Sequence, residues 1–219
     1  MKDRPIIFSA PMVRALLDGS KTQTRRLYKI RKHPDSGCAM TGAELARESR
    51  SLIEHVCPYG RPGDRLWVKE TWTDVGTSKP DSIRYRADHP ACVSAESHNV
   101  LPAAKIHWKS SLFMRRTASR ILLVIVGVRI ERLQAISEAD AIAEGITARS
   151  GSEHRGVRWH CPPHVRRVGN GNQVKDLRCA GGPVEDPREA YRGVWSAING
   201  AGSWDSNPWV WVVEFQRIK

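Results

Sequence analysis

Ile121-Leu122-Leu123-Val124-Ile125-Val126-Gly127-Val128-Arg129-Ile130 is a nearly continuous run of β-branched and aliphatic residues. It is too short to span a bilayer, which takes about 20 apolar residues. Its β-branched content predicts a strand, and its continuity places that strand in the middle of a sheet. Downstream, Ser137-Glu138-Ala139-Asp140 starts a short helix, with Ala141 and Ile142 inward and Gly145 as its cap. Glu144 falls on the last turn, where the helix dipole is already negative, so its carboxylate calls for a positive partner. Asp186-Pro187 opens a further helix through Ile198 that carries Tyr191, Val194, Trp195 and Ile198 on one face. Trp209–Ile218 closes the chain as an apolar strand.

Upstream, Arg65–Thr73 reads as a strand with Leu66, Val68, Glu70 and Trp72 on one face. A carboxylate among three apolar residues either meets an arginine or lines a polar cavity. Residues 5–8 form a short strand. Ser9 then reads as an N-cap, Pro11 falls in the first turn, and Met12, Ala15 and Leu16 repeat at helical spacing up to Gly19. Thr41-Gly42-Ala43-Glu44 has capping-box spacing ahead of a helix carrying Leu45, Leu52, Ile53 and Val56. Residues 83–87 offer another strand. The order strand, helix, strands, helix, helix, strand lacks regular βαβ crossovers and excludes a doubly wound sheet. The expected class is α+β: a small mixed β-barrel decorated with helices. One domain over 1–219 is expected, with insertions near 30–57, 74–105 and 148–186.

Net charge is +12 and the pI about 9.9, so an anionic partner is indicated, with nucleic acid or nucleotides first. No run of some eighteen apolar residues is present, and Met1-Lys2-Asp3-Arg4-Pro5 lacks the apolar stretch of a secretory signal. The five cysteines are widely spaced and contain no C-x-x-C pair. A disulfide framework is therefore not expected, and a cytoplasmic location is.

The densest chemistry lies in Gly19-Ser20-Lys21-Thr22-Gln23-Thr24-Arg25-Arg26, with one amine, three hydroxyls and two guanidinium groups. A turn needs the glycine but not the rest, and the stretch reads as the lip of a site for a polar, nucleotide-like ligand. Together with Gly63-Asp64-Arg65-Leu66-Trp67-Val68 and Asn207-Pro208-Trp209-Val210-Trp211-Val212, it resembles the ASCH domain of the PUA-like superfamily, in particular its phage and prophage branch. The chain departs from that branch over Met114–Arg120, where Pro and Trp would be usual in place of Arg115 and Thr117.

The resemblance implies a PUA-like pseudobarrel tied to RNA or nucleotides. One bacterial member type removes the acetyl group from N4-acetylcytidine. Its catalytic set falls here on Lys21 and Thr24 and, by the match of Ala143-Glu144-Gly145-Ile146, on Glu144. Thr24 would be the nucleophile, Lys21 its base and Glu144 an assistant, without metal or cofactor. Gln23, Arg26, Glu70 and Trp72 are the expected substrate-binding residues, and Arg26 or backbone amides near Thr24 are candidates for the oxyanion. The expected partner is a modified nucleoside or nucleotide, with RNA as a further one and no membrane. The alternatives are a non-enzymatic RNA-binding module or a ribonuclease using the same cleft.

Three other groups admit a plainer reading beside a functional one. His160-Cys161-x-x-His164, with His154 and Cys179 nearby, fits no strong zinc signature and reads as a polar loop. Trp67, Trp72, Trp108 and Trp159 are candidates for base stacking, although core packing is the usual fate of Trp at strand spacing. Arg115, Arg116 and Arg120 offer a phosphate patch or a solvated edge.

Overall fold

The computed structural model describes residues 1–74, 83–89, 106–150 and 184–219, with side chains omitted at 149 and 150, and the backbone alone at 157–160, 164–168 and 173–177. In chain order the elements are β1 (Asp3–Ile7), α1 (Ala10–Leu17), β2 (Gln23–Leu27), β3 (Arg31–Lys32), β4 (Ala39–Met40), α2 (Gly42–Leu45), α3 (Arg50–Val56), β5 (Arg65–Lys69), β6 (Trp72–Asp74) and β7 (Ile83–Tyr85). They continue with β8 (Leu122–Arg132), α4 (Glu138–Ala143), β9 (Thr147–Ser150), β10 (Val157–His160), β11 (His164–Val168), β12 (Gln173–Leu177), α5 (Pro187–Asn199) and β13 (Trp209–Arg217).

The architecture is α+β. Five strands form one sheet in the order β1-β5-β8-β13-β2. Only β1 and β5 run parallel; the other pairings are antiparallel. The apolar run over 121–130 supplies the middle strand, as its continuity predicts. Burial along β8 alternates through Leu123 and Ile125, then skips a step at the exposed Val126. Val126 is the unmatched residue between the pairs Ile125–Phe215 and Gly127–Glu214, so the bulge puts both Ile125 and Val128 inside. One contiguous core joins α1, the sheet and the later helices, through Leu16, Leu66, Leu123, Trp211, Ala141 and Val194.

The sheet is not closed. Its order leaves β1 and β2 as edges instead of zipping them into a barrel. Helix α1 intervenes between them in sequence, and a side chain spans the seam where a strand ladder would run: Arg26 Nη2 donates to the carbonyl of Ile7 at 2.6 Å.

Two elements divide where the sequence suggests continuity. The helix expected after Thr41 is two. Thr41 and Glu44 form the predicted capping box of α2, and Ser49 then caps α3 by accepting from Leu52 N at 3.3 Å. The strand expected over 65–73 breaks at Glu70-Thr71, and β6 turns away to pair with β7. Leu66, Val68, Glu70 and Trp72 are nonetheless all buried. Beyond His89 the expected loop over 88–105 lies outside the described residues, and within the insertion over 148–186 the described backbone forms two antiparallel pairs, β9 with β10 and β11 with β12, where the sequence shows no clear period.

Candidate active site

Two helix ends and one strand build the site. Ser137 caps α4 by accepting from Asp140 N at 3.1 Å, and the helix stops at Glu144 and Gly145. Gly145 has φ +92, and a Cβ there would lie 3.0 Å from the Cβ of Ala15 and 3.3 Å from that of Lys21. Only glycine lets the end of α4 sit this close to α1 and to the chain leaving it. The segments are then tied: Lys21 N donates to Ala15 O and Thr22 N to Ala143 O, both at 2.9 Å, and Lys21 forms an isolated antiparallel bridge with Glu144.

This approach buries an ammonium against a carboxylate. Lys21 Nζ donates to Glu144 Oε2 at 2.7 Å and to Glu144 O at 2.9 Å. Each residue is 3% exposed. Burial depresses the Lys21 pKa below its ordinary value, Glu144 opposes the shift, and Arg26 and Arg25 add to it.

Glu144 is held from its other side by Arg25. Arg25 Nη1 lies 3.3 Å from Glu144 Oε1, and Nη2 meets Glu131 Oε1 at 2.5 Å and Asp140 Oδ2 at 3.0 Å. Burial works against the charge of Arg25, but Glu144 and Glu131 outweigh it and hold its pKa high. Burial likewise opposes the charge of Asp140, and Arg25 and Arg129 outweigh it to keep that carboxyl low. Arg129 extends the chain of ions to Glu131 and Asp140, each at 3.0 Å, and to Glu214. Desolvation makes such a network weak evidence of stability. What it does is fix the Glu144 carboxylate from both oxygens.

A cavity of about 560 Å³ opens at the seam of the sheet, lined by Lys21, Thr24, Arg25, Arg26 and Glu144 on one side and by Phe8, Tyr59, Tyr191 and Trp195 among others. Its size falls in the range of small-molecule sites, about 300–1,000 Å³. Thr24 is buried on β2 opposite Val213. The Nε atoms of Arg25 and Arg26 are buried without a hydrogen-bond partner. Burial pushes the Tyr191 hydroxyl well above its ordinary pKa, so it stays protonated.

No family model, curated protein or solved structure matches this chain.

The structure brings together four of the seven residues singled out from the sequence: Lys21, Thr24, Glu144 and Arg26. The other three do not line the cavity. Gln23 turns to α4, where Nε2 donates to Asp140 O at 3.1 Å. Glu70 meets Arg120 through Nε at 2.8 Å and Nη2 at 3.0 Å, and Arg120 also holds Asp88. Burial raises the Glu70 pKa even so, against the pull of Arg120. Trp72 packs with Met114 and Ala118 in a small separate cluster, and Lys109, bridged to it through the backbone, sets its Nζ 4.9 Å from the ring centre. Thr71, between Glu70 and Trp72, lines the cavity instead. Among the proposed phosphate-patch residues, Arg120 is committed to Glu70 and Asp88, while Arg115 and Arg116 are exposed.

Sequence reasoning passed over Arg25 as an anchor and over Tyr59, Tyr191 and Trp195 as walls. The spacing of Tyr191 and Trp195 marks one helix face but does not tell core from cavity. Among the described residues no three His, Cys, Asp or Glu side chains gather into a metal site. The side chains of His154, His160, Cys161, His164 and Cys179 lie outside those described. Among the described residues no helix is long and apolar enough to cross a membrane.

Proposed function

We propose that this chain is an amidohydrolase that removes an acyl group from the exocyclic amine of an N4-acylated cytidine or a related modified nucleoside. The observation that carries the reading is the buried Lys21–Glu144 pair opening, with Thr24, onto one cavity of nucleoside size. The proposal includes the ASCH, PUA-like assignment. The sequence motifs support it, as does a mostly antiparallel sheet whose open seam holds the site.

The chemistry follows from the charges. Burial favours the neutral amine of Lys21 and Glu144 its ammonium, and in the neutral form Lys21 acts as the base. It accepts the Thr24 proton as Oγ bonds to the acyl carbon. The bond from that carbon to N4 then breaks, and the Lys21 ammonium returns the proton to the leaving amine. Water attacks the Thr24 ester, again giving its proton to Lys21, which passes it to Thr24 Oγ as the carboxylic acid leaves. Glu144 stabilises the ammonium each time it forms, and Arg25 keeps that carboxylate from turning away.

The test is incubation with N4-acetylcytidine in the presence of EDTA, with cytidine followed by chromatography. Turnover is expected, and Lys21→Ala and Thr24→Ala should each abolish it while the circular dichroism spectrum is retained. A folded protein inert on acetyl- and longer acylcytidines removes the hydrolase. Steeply salt-dependent RNA binding would then indicate a binding module, and shortened RNA a ribonuclease.

A further inference from the structure

We infer that the cavity takes its nucleoside as a phosphate ester, with Arg26 and Lys29 holding the phosphate. This rests on the nucleoside reading above and adds the charge class of the substrate.

The cavity wall carries more cations than anions. Lys21, Arg25, Arg26 and Lys29 line the cavity against the single carboxylate of Glu144. Glu144 is already met by Lys21 and Arg25, and Arg25 is further met by Glu131 and Asp140. Arg26 and Lys29 have no acidic partner among the described residues. Arg26 sends Nη2 to the Ile7 carbonyl and lies 5.2 Å from the Phe8 ring centre, but its Nε is buried without a partner. A buried guanidinium N–H without an acceptor is a standing deficit that a bound oxygen corrects. Two uncompensated cations on one wall of a partly enclosed space also concentrate positive potential there. A neutral nucleoside leaves both cations unanswered, whereas a phosphate monoester supplies a matching charge and the acceptor oxygens. Lys29 is exposed and Arg26 half-buried, which puts the phosphate at the mouth and leaves the base for the Lys21, Thr24 and Glu144 end. On this reading Arg26 serves the phosphate, not the oxyanion.

Calorimetric titration compares cytidine, cytidine 5′-monophosphate, inorganic phosphate and a short cytidine-containing oligoribonucleotide. Wild type should bind the monophosphate about tenfold or more tighter than cytidine, with the gap shrinking as salt is added. Lys29→Gln should narrow the gap, and Arg26→Gln combined with it should close the gap. An oligoribonucleotide that shows the same dependence on Arg26 and Lys29 places the phosphate within a chain, and tight monophosphate binding without it places the phosphate on a free nucleotide. A monophosphate that binds no tighter than cytidine overturns the inference, as does a gap that survives the double substitution. The hydrolase reading is separated by the acylcytidine assay. Turnover without a phosphate gap leaves the hydrolase and removes this inference. A phosphate gap without turnover does the reverse.

Discussion

Lys21 Nζ sits 2.7 Å from the Glu144 carboxylate and 2.9 Å from the carbonyl oxygen of the same residue, with both side chains closed off from solvent. One residue at a helix carboxyl end thus offers the ammonium a full charge and a backbone dipole together. The arrangement exists because Gly145 allows the end of α4 to lie against Lys21.

Glu144→Gln removes the full charge and keeps the shape. Breaking a buried pair from one side costs about 3–5 kcal/mol. The Glu144 carbonyl still serves Lys21, and Arg25 keeps Glu131 and Asp140, so the loss should fall near the lower end. Urea unfolding measures it. A loss under about 1 kcal/mol would mean that the pair is more solvated than its burial indicates.

The depressed pKa of Lys21 has a signed consequence for stability. Between its folded value and the ordinary 10.5, the unfolded chain binds more protons at this site than the folded one. The contribution of Lys21 to stability is therefore full above 10.5 and declines as pH falls toward the folded value. Measured against Lys21→Met, wild type should gain stability as the pH rises toward 10.5. A difference that is flat with pH would show that Glu144 fully offsets the burial.

Much of this was legible in the sequence, for identifiable reasons. The apolar run over 121–130 could only be a central strand. The dipole argument at Glu144 asked for a cation and found Lys21. The unpaired-carboxylate argument at Glu70 left two outcomes, and Arg120 takes the structural one. What the sequence did not carry was long-range. Nothing local in Gln23 says that it reaches α4. Period-two spacing marked Glu70 and Trp72 as inward, and both are buried, but the strand breaks between them, Trp72 joins a separate cluster, and Thr71 lines the cavity. The closed barrel failed for a similar reason: β2, one edge of the sheet, does not stand out as a strand in the motif-rich stretch over 19–26, and nothing local says that α1 leaves the seam between β1 and β2 to a single arginine.

The two described free cysteines should differ in reactivity. Burial pushes the Cys57 thiol up to about 11, whereas Cys38 is exposed. The thiolate is the reactive form, so Cys57 is both hidden and almost wholly protonated near neutral pH. Iodoacetamide with peptide mapping should mark Cys38 in the folded protein and Cys57 only in denaturant. Equal labelling of both would mean that the turn after α3 opens readily.

Gly145→Ala separates backbone conformation from crowding. The positive φ alone costs an alanine about 1–2 kcal/mol. Its Cβ would also press on Ala15 at 3.0 Å and Lys21 at 3.3 Å, and these are packed backbone-proximal atoms that cannot swing aside. The expected total is about 2–4 kcal/mol, with loss of acylcytidine turnover as Lys21 is pushed from Glu144. Ala15→Gly in the same chain clears only the first contact and weakens α1 by about 1 kcal/mol. The double variant should therefore stay well below wild type in stability and remain inactive. Recovery of turnover in the double variant would show that Ala15, and not the approach of Gly145 to Lys21, sets the geometry of the pair.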